Sequence, residues 1–117
     1  MIILHSLKAI CDDRKLPVMT GGYIPPQGEA APTTYIVLTP MDDELTAYAD
    51  DMPHLEIQSA RLTLFSKSNY LSLRESLRDA ILAAGLTISD MRFIEHEPDT
   101  GYYHYAIDVE KIENLEG

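Results

Sequence analysis

Between residues 61 and 109 the hydrophobic pattern changes period twice, and few architectures accommodate such a switch. Arg61-Leu-Thr-Leu-Phe-Ser66 alternates as a strand does. From Tyr70 to Ala84 the pattern becomes helical: Tyr70, Leu73, Leu77, Ile81 and Ala84 line one stripe, with Arg74, Glu75, Arg78 and Asp79 on or beside the opposite face. Ser72-Leu-Arg-Glu75 fits a capping box, Ser68 or Asn69 offers an alternative cap, and Gly85 supplies a left-handed stop. The two-residue period then returns. Leu86 to Glu97 reads as a strand broken around Ser89-Asp90, and Tyr103, Tyr105, Ile107 and Val109 alternate with His104, Ala106 and Asp108. Pro98-Asp-Thr-Gly101 joins the two as a turn, with proline presetting φ and glycine free to take a positive one. Strand, one-sided helix and hairpin together require a sheet with a helix packed on it.

The flanking segments extend this unit. Ile3, Leu7, Ile10 and Cys11 share one helical face, and Pro17 drives Leu16 out of helical angles, so a helix is expected over about residues 1–14. Val18-Met19 suits a short edge strand, and residues 21–32, with three glycines and three prolines, suit a long loop. Thr34-Tyr-Ile-Val-Leu-Thr39 is β-branched and aromatic, as expected of a strand near the sheet centre. Asp42-Asp43-Glu44 reads as a turn into a strand at Leu45–Ala49, and Asp50-Asp51-Met-Pro53 as the next turn, giving a meander. Along His54–Ser66 the apolar residues shift from odd (Leu55, Ile57) to even (Leu62, Leu64) positions, which predicts a twist or bulge near Ser59. The acidic stretch Glu110–Gly117 is expected to fray. The expected fold is α+β: an antiparallel or mixed sheet of about four to six strands with two helices packed on it, N-terminal helix first, in one domain spanning 1–117.

Composition narrows the function classes. A chain of 117 residues, 45% hydrophobic and 24% charged, has room for one core and contains nothing near the ~18 consecutive apolar residues of a membrane span. Met1–Lys8 has no basic, apolar and cleavage-site succession, so cytoplasmic synthesis and folding are expected. The net charge of −10 opposes tight binding to a phosphate backbone, though a surface of one sign lets DNA slide past without gripping it. Cys11, the single cysteine, sits on the apolar helical face and is expected to be a buried small hydrophobe rather than a nucleophile.

No cluster announces catalysis. Asp42, Asp43, Glu44, Asp50 and Asp51 do not follow the spacing of a calcium loop and read as solubilising groups at a sheet end. Glu95-His96-Glu97, with His104 across the hairpin, is the nearest approach to a metal or acid–base cluster. Alternation puts Glu95 and Glu97 on one face and His96 on the other, so the triplet alone cannot converge on one ion, and a solvated hairpin end is the expectation. Ser66, Ser68, Ser72, Ser76 and Ser89 lack a nucleophile elbow, and Gly21-Gly22 lacks a following phosphate-binding helix. Tyr103 and Tyr105 are expected in the core, with Tyr102 on the other face as a possible interface anchor. No catalytic, cofactor-binding or metal-ligating residue is therefore nominated, no cofactor is expected, and the chain is not expected to be an enzyme.

The order helix, Pro/Gly loop, strand, acidic segment, Arg61-Leu-Thr-Leu-Phe-Ser-Lys-Ser-Asn-Tyr70, amphipathic helix, Gly85-Leu86 and Glu97-Pro-Asp-Thr-Gly-Tyr-Tyr-His-Tyr105 resembles the small tail-completion, or tail-terminator, proteins of long-tailed bacteriophages and Gram-positive prophages. Arg61–Val109 carries most of the resemblance, and Thr34–Asp51 fits more loosely. The resemblance implies an α+β subunit in a ring, commonly a hexamer, that caps the tail tube, stops its growth and meets the head connector. The implied partners are further copies of the chain, the major tail tube protein and a head–tail connector or neck protein, without specific nucleic-acid or membrane binding. The implied location is the virion, with assembly in the host cytoplasm. Two alternatives are a neck connector of the same kind of phage and, in a different class, a small ligand-binding or enzymatic α+β domain using Glu95, His96 and His104.

Overall fold

A computed structural model describes residues 2–20, 32–46 and 52–115, and the elements run α1 (Ile2–Asp13), β1 (Val18–Thr20), β2 (Thr34–Thr46), β3 (Leu55–Ser66), α2 (Leu71–Ala83), β4 (Thr87–His96) and β5 (Tyr103–Asn114). The five strands form one mixed sheet in the order β1-β2-β3-β5-β4, with β1 parallel to β2 and every other pair antiparallel. The fold is α+β, N-terminal helix first.

Both helices lie on one face. Ile3, Leu7, Ile10 and Cys11 of α1 and Leu77 and Ile81 of α2 pack on Ile36, Leu38, Ala60, Leu62, Leu64, Tyr105, Ile107 and Val109, which alternate along the three inner strands. The helical spacing of 3.6 and the strand spacing of 2 thus meet in one core. Arg14 joins the helices by donating from Nε to Ser76 Oγ at 2.9 Å. The first turn of α1 has backbone N–H groups with no intrahelical acceptor, and the buried side chain of Gln58 accepts from Ile3 N at 3.0 Å. At the other end Lys15 takes a positive φ of 56° and Pro17 follows, so the chain turns sharply into β1. For α2, the Ser72–Glu75 capping box does not form; Leu71 N donates instead to Asn69 Oδ1 at 3.0 Å, and Tyr70 takes the cap position. Gly85 ends the helix at φ +81°, and Ala84, expected in the apolar stripe, is exposed there.

The acidic segment departs from expectation. Asp42-Asp43-Glu44 is not a turn: β2 runs on through it to Thr46, paired with β3 from Asp42↔Ser59 to Thr46↔Leu55. Ladder hydrogen bonds outweigh the low strand propensity of Asp and Glu, whose side chains reach solvent on either side. The irregularity expected near Ser59 exists, but across the ladder: the register shifts between Pro40 and Asp42, opposite Ala60 and Ser59. A bulge is also where a strand tolerates proline. β3 itself keeps one phase, with Gln58, Ala60, Leu62, Leu64 and Ser66 all turned to the helices and buried. Leu55 and Ile57 simply face the other way. The C-terminal stretch does not fray as far as Asn114, because Glu110–Asn114 continues β5 and pairs with Leu55–Ser59. The expected positions at 21–31, 47–51 and 116–117 lie outside the described residues.

These continuous strands make the molecule long, with principal extents of 55 × 29 × 25 Å. Twelve residues of β3 span about 40 Å at ~3.4 Å per residue, more than the helices cover. The far ends of β2, β3 and β5 form a three-stranded tip.

Candidate functional site

Three regions on this frame carry chemistry outside the core. The first is the hairpin end of β4 and β5. Its turn is closed by Gly101 N donating to Glu97 O and Glu97 N donating to Tyr102 O, both at 2.8 Å, with Gly101 at φ +84°. Met91 and Phe93 pair with Ile107 and Tyr105 on the helix face; the register then shifts at Ile94, and Glu95 comes to lie opposite His104 on the face without helices. Glu97 follows on the same side. Ligand-capable atoms of Glu95, Glu97 and His104 all lie within 4.8 Å of one another, and His104 Nε2 is 2.7 Å from Glu97 Oε1. That hydrogen bond holds the Glu97 carboxyl below its ordinary value. His104 is mostly shielded, its ring 4.3 Å from that of Phe65.

The expected split is found: Glu95 and Glu97 share one face and His96 takes the other, and His104 joins the two glutamates. His96 alone goes to the other side, where it stacks on Tyr103 at 4.2 Å. Alternation separates neighbours within β4, but register brings in His104 from β5, the partner that the triplet lacked.

The second region is the aromatic and ionic surface of the helix-free face. Tyr35 and Phe65 stack at 4.7 Å, and Tyr102 meets both edge-on at 5.4 and 6.4 Å. Tyr102 is buried and donates its hydroxyl hydrogen bond to Pro32 O, while Lys67 Nζ lies 4.9 Å from its ring centroid. The expected interface anchor is instead packed within its own chain. Toward the centre of this face Asp108 accepts from Arg61 Nε at 2.7 Å, Arg61 Nη2 at 3.2 Å and Arg92 Nη1 at 3.4 Å. Asp90 stands opposite Asp108 in the ladder, and Arg92 bridges the two carboxylates. The Arg61 hydrogen bonds hold the Asp108 carboxyl below its usual value. Sequence reading missed this network, although Arg61, Asp108, Asp90 and Arg92 all fall on the polar side of their strands.

The third region is the tip. Met41, Leu45, Ile112 and Leu115 are each 47–56% exposed there, among Asp42, Asp43, Glu44, Glu56, Glu110 and Glu113. Lys111 pairs with Glu113 at 3.2 Å. Leu45, opposite Glu56, and Ile112, opposite Ile57, lie on the two faces of this tip, so it presents apolar groups on both sides.

Other candidates resolve simply. Cys11 is fully buried, and desolvation pushes its thiol up to about 12, so no thiolate forms at neutral pH. Around the start of α2, Lys67, Ser68, Asn69, Tyr70, Leu71 and Tyr103 line an open recess of about 500 Å³. No helix among the described residues is long and apolar enough to cross a membrane. Comparison with protein-family models and with curated proteins finds no match for this chain.

Proposed function

We propose that this chain is a structural virion protein, a tail terminator that caps the phage tail tube as an oligomeric ring, ends tail polymerisation and offers a surface to the head connector. The observation carrying this reading is the tip: a three-stranded projection of β2, β3 and β5 on and around which Met41, Leu45, Ile112 and Leu115 are about half exposed. The sheet edges support it. β1 contributes a three-residue parallel edge on one side, and β4 a ten-residue antiparallel edge on the other. Two unlike edges suit heterologous contacts, which close into rings when the rotation per subunit allows it. The resemblance of Arg61–Val109, in its order of elements and short motifs, to tail-terminator proteins suggests the particular assembly, and the charge of −10 suits a passage for DNA that must not bind it.

Size-exclusion chromatography with light scattering over a wide concentration range tests the reading. A closed ring of several subunits is expected, together with arrest of tail-tube growth when the protein is added to polymerising tube protein. Ile112→Asp on the tip is expected to keep the circular dichroism of the wild type and to lose the ring. A strict monomer at high concentration that leaves tube growth unaffected overturns the proposal.

A further inference from the structure

We infer that Glu95, Glu97 and His104 form a binding site for a divalent transition-metal ion of the Zn²⁺ class at the hairpin end of the sheet. The inference rests on placement rather than on the abundance of acidic groups. An imidazole nitrogen and two carboxylates converge from both strands of one hairpin, with their ligand atoms within 4.8 Å of one another. Tetrahedral zinc with ligands at ~2.0–2.1 Å holds its donors roughly 3.3 Å apart. The His104–Glu97 contact at 2.7 Å must open slightly, and a separation of up to 4.8 Å must close by roughly 1.5 Å, which the exposed Glu95 side chain can supply.

The backbone contributes the convergence. Without the shift at Ile94, the phase that turns Met91 and Phe93 toward the helices would carry Glu95 to that side as well. The bulge reverses the phase after Phe93 and aims Glu95 at His104, as bulges do when they redirect a side chain. His104 is mostly shielded and meets Phe65 in an edge contact at 4.3 Å between ring centres, so less side-chain entropy remains to be lost on binding. Among the described residues neither Glu95 nor Glu97 pairs with a lysine or arginine; the Glu97 carboxylate meets His104 and the Thr100 hydroxyl. Two carboxylates and one imidazole nitrogen thus face one another without a basic side chain among the partners of the carboxylates, which suits a dication.

Ligand chemistry selects the metal. A nitrogen donor disfavours Ca²⁺ and Mg²⁺, which take oxygen ligands, and favours Zn²⁺ and its neighbours. The ion takes the place of the proton shared by Nε2 and the Glu97 carboxylate, and that proton is released to solvent. Three protein donors leave a position for water or for a donor from another molecule. Bound there, the ion clips β4 to β5 at the open edge of the sheet.

The test uses the full, tag-free chain titrated with Zn²⁺ in a calorimeter, with Mg²⁺ as comparator. One saturable Zn²⁺ site per chain is expected, with no comparable Mg²⁺ binding. Glu95→Gln and His104→Gln should each weaken it by roughly tenfold or more, whereas His96→Gln on the opposite face should not. Because His104→Gln removes a packed ring, the wild type provides a second readout: in histidine-selective ¹⁵N spectra, Zn²⁺ must shift the His104 ring resonances and leave those of His96. Absence of saturable binding, binding unchanged in Glu95→Gln, or a shift confined to other histidines overturns the inference.

Discussion

Replacing Asp108 by Asn keeps the shape of the side chain and removes the charge that organises the centre of the helix-free face. Its carboxylate accepts three hydrogen bonds from two guanidinium groups, and its side chain is 12% exposed, against 32% for Arg61 and 43% for Arg92. A fully exposed pair is worth ~0–1 kcal/mol and breaking a buried one costs ~3–5 kcal/mol, so this half-covered bidentate contact should contribute about 2 kcal/mol. For a chain of this length that corresponds to a fall of roughly 8 °C in Tm. The pH dependence carries a definite sign. The folded-state carboxyl is held below its unfolded value of 3.8, so the stabilisation is present above that pH and disappears as pH falls through the lower folded value. Urea unfolding of wild type and Asp108→Asn at a series of pH values measures the difference, in which other carboxylates cancel. The gap should stay constant from about pH 7 to 5 and narrow steadily below about pH 4. A double-mutant cycle with Arg61→Met should recover most of it as coupling energy. A variant within about 0.5 kcal/mol of the wild type at pH 7, or a gap that persists unchanged at pH 2, would refute the assignment.

Leu77 is fully buried between α2 and the sheet, and Leu77→Ala should cost ~2–5 kcal/mol in urea unfolding, with an unchanged midpoint contradicting the packing. Gly101→Ala meets no atom within 4 Å, so its cost is backbone strain alone, about 1–2 kcal/mol, measurable as a lower Tm without change in near-ultraviolet dichroism. Truncation after Val109 removes the β5 residues paired with Leu55–Ser59; faster amide exchange along that end of β3 is expected, and exchange identical to the full chain would mean the tip ladder does not form.

The parts legible in the sequence are those whose cause is local. The faces of α1 and α2 follow from the i, i+3, i+4 spacing of Leu7, Ile10 and Cys11 and the i, i+4, i+8 spacing of Leu73, Leu77 and Ile81, and Gly85 and Gly101 mark chain reversals because glycine backbones take positive φ cheaply. Asp42-Asp43-Glu44 has a local preference for a turn, yet it is held extended by Leu55–Ser59, residues that a local pattern does not weigh against it. The odd-to-even change along β3 reflects Leu55 and Ile57 facing away from the helices, while the irregularity near Ser59 lies on the neighbouring strand β2. Its location on β2 depends on the pairing of two strands and on where Pro40 and Met41 fall in that pairing.

The same division applies to Glu95, Glu97 and His104. Sequence by itself determined that the two glutamates share a face, that His96 does not, and that a Gly-containing turn brings β5 back beside β4, because side-chain alternation and turn chemistry are properties of a few consecutive residues. Only the tertiary structure decided that Glu95 stands opposite His104, that Tyr102 is buried against Tyr35 and Phe65, and that Arg61 and Arg92 converge on Asp108. Each of those contacts joins different strands, and their register is set by bulges and by burial of the whole helix-facing side at once.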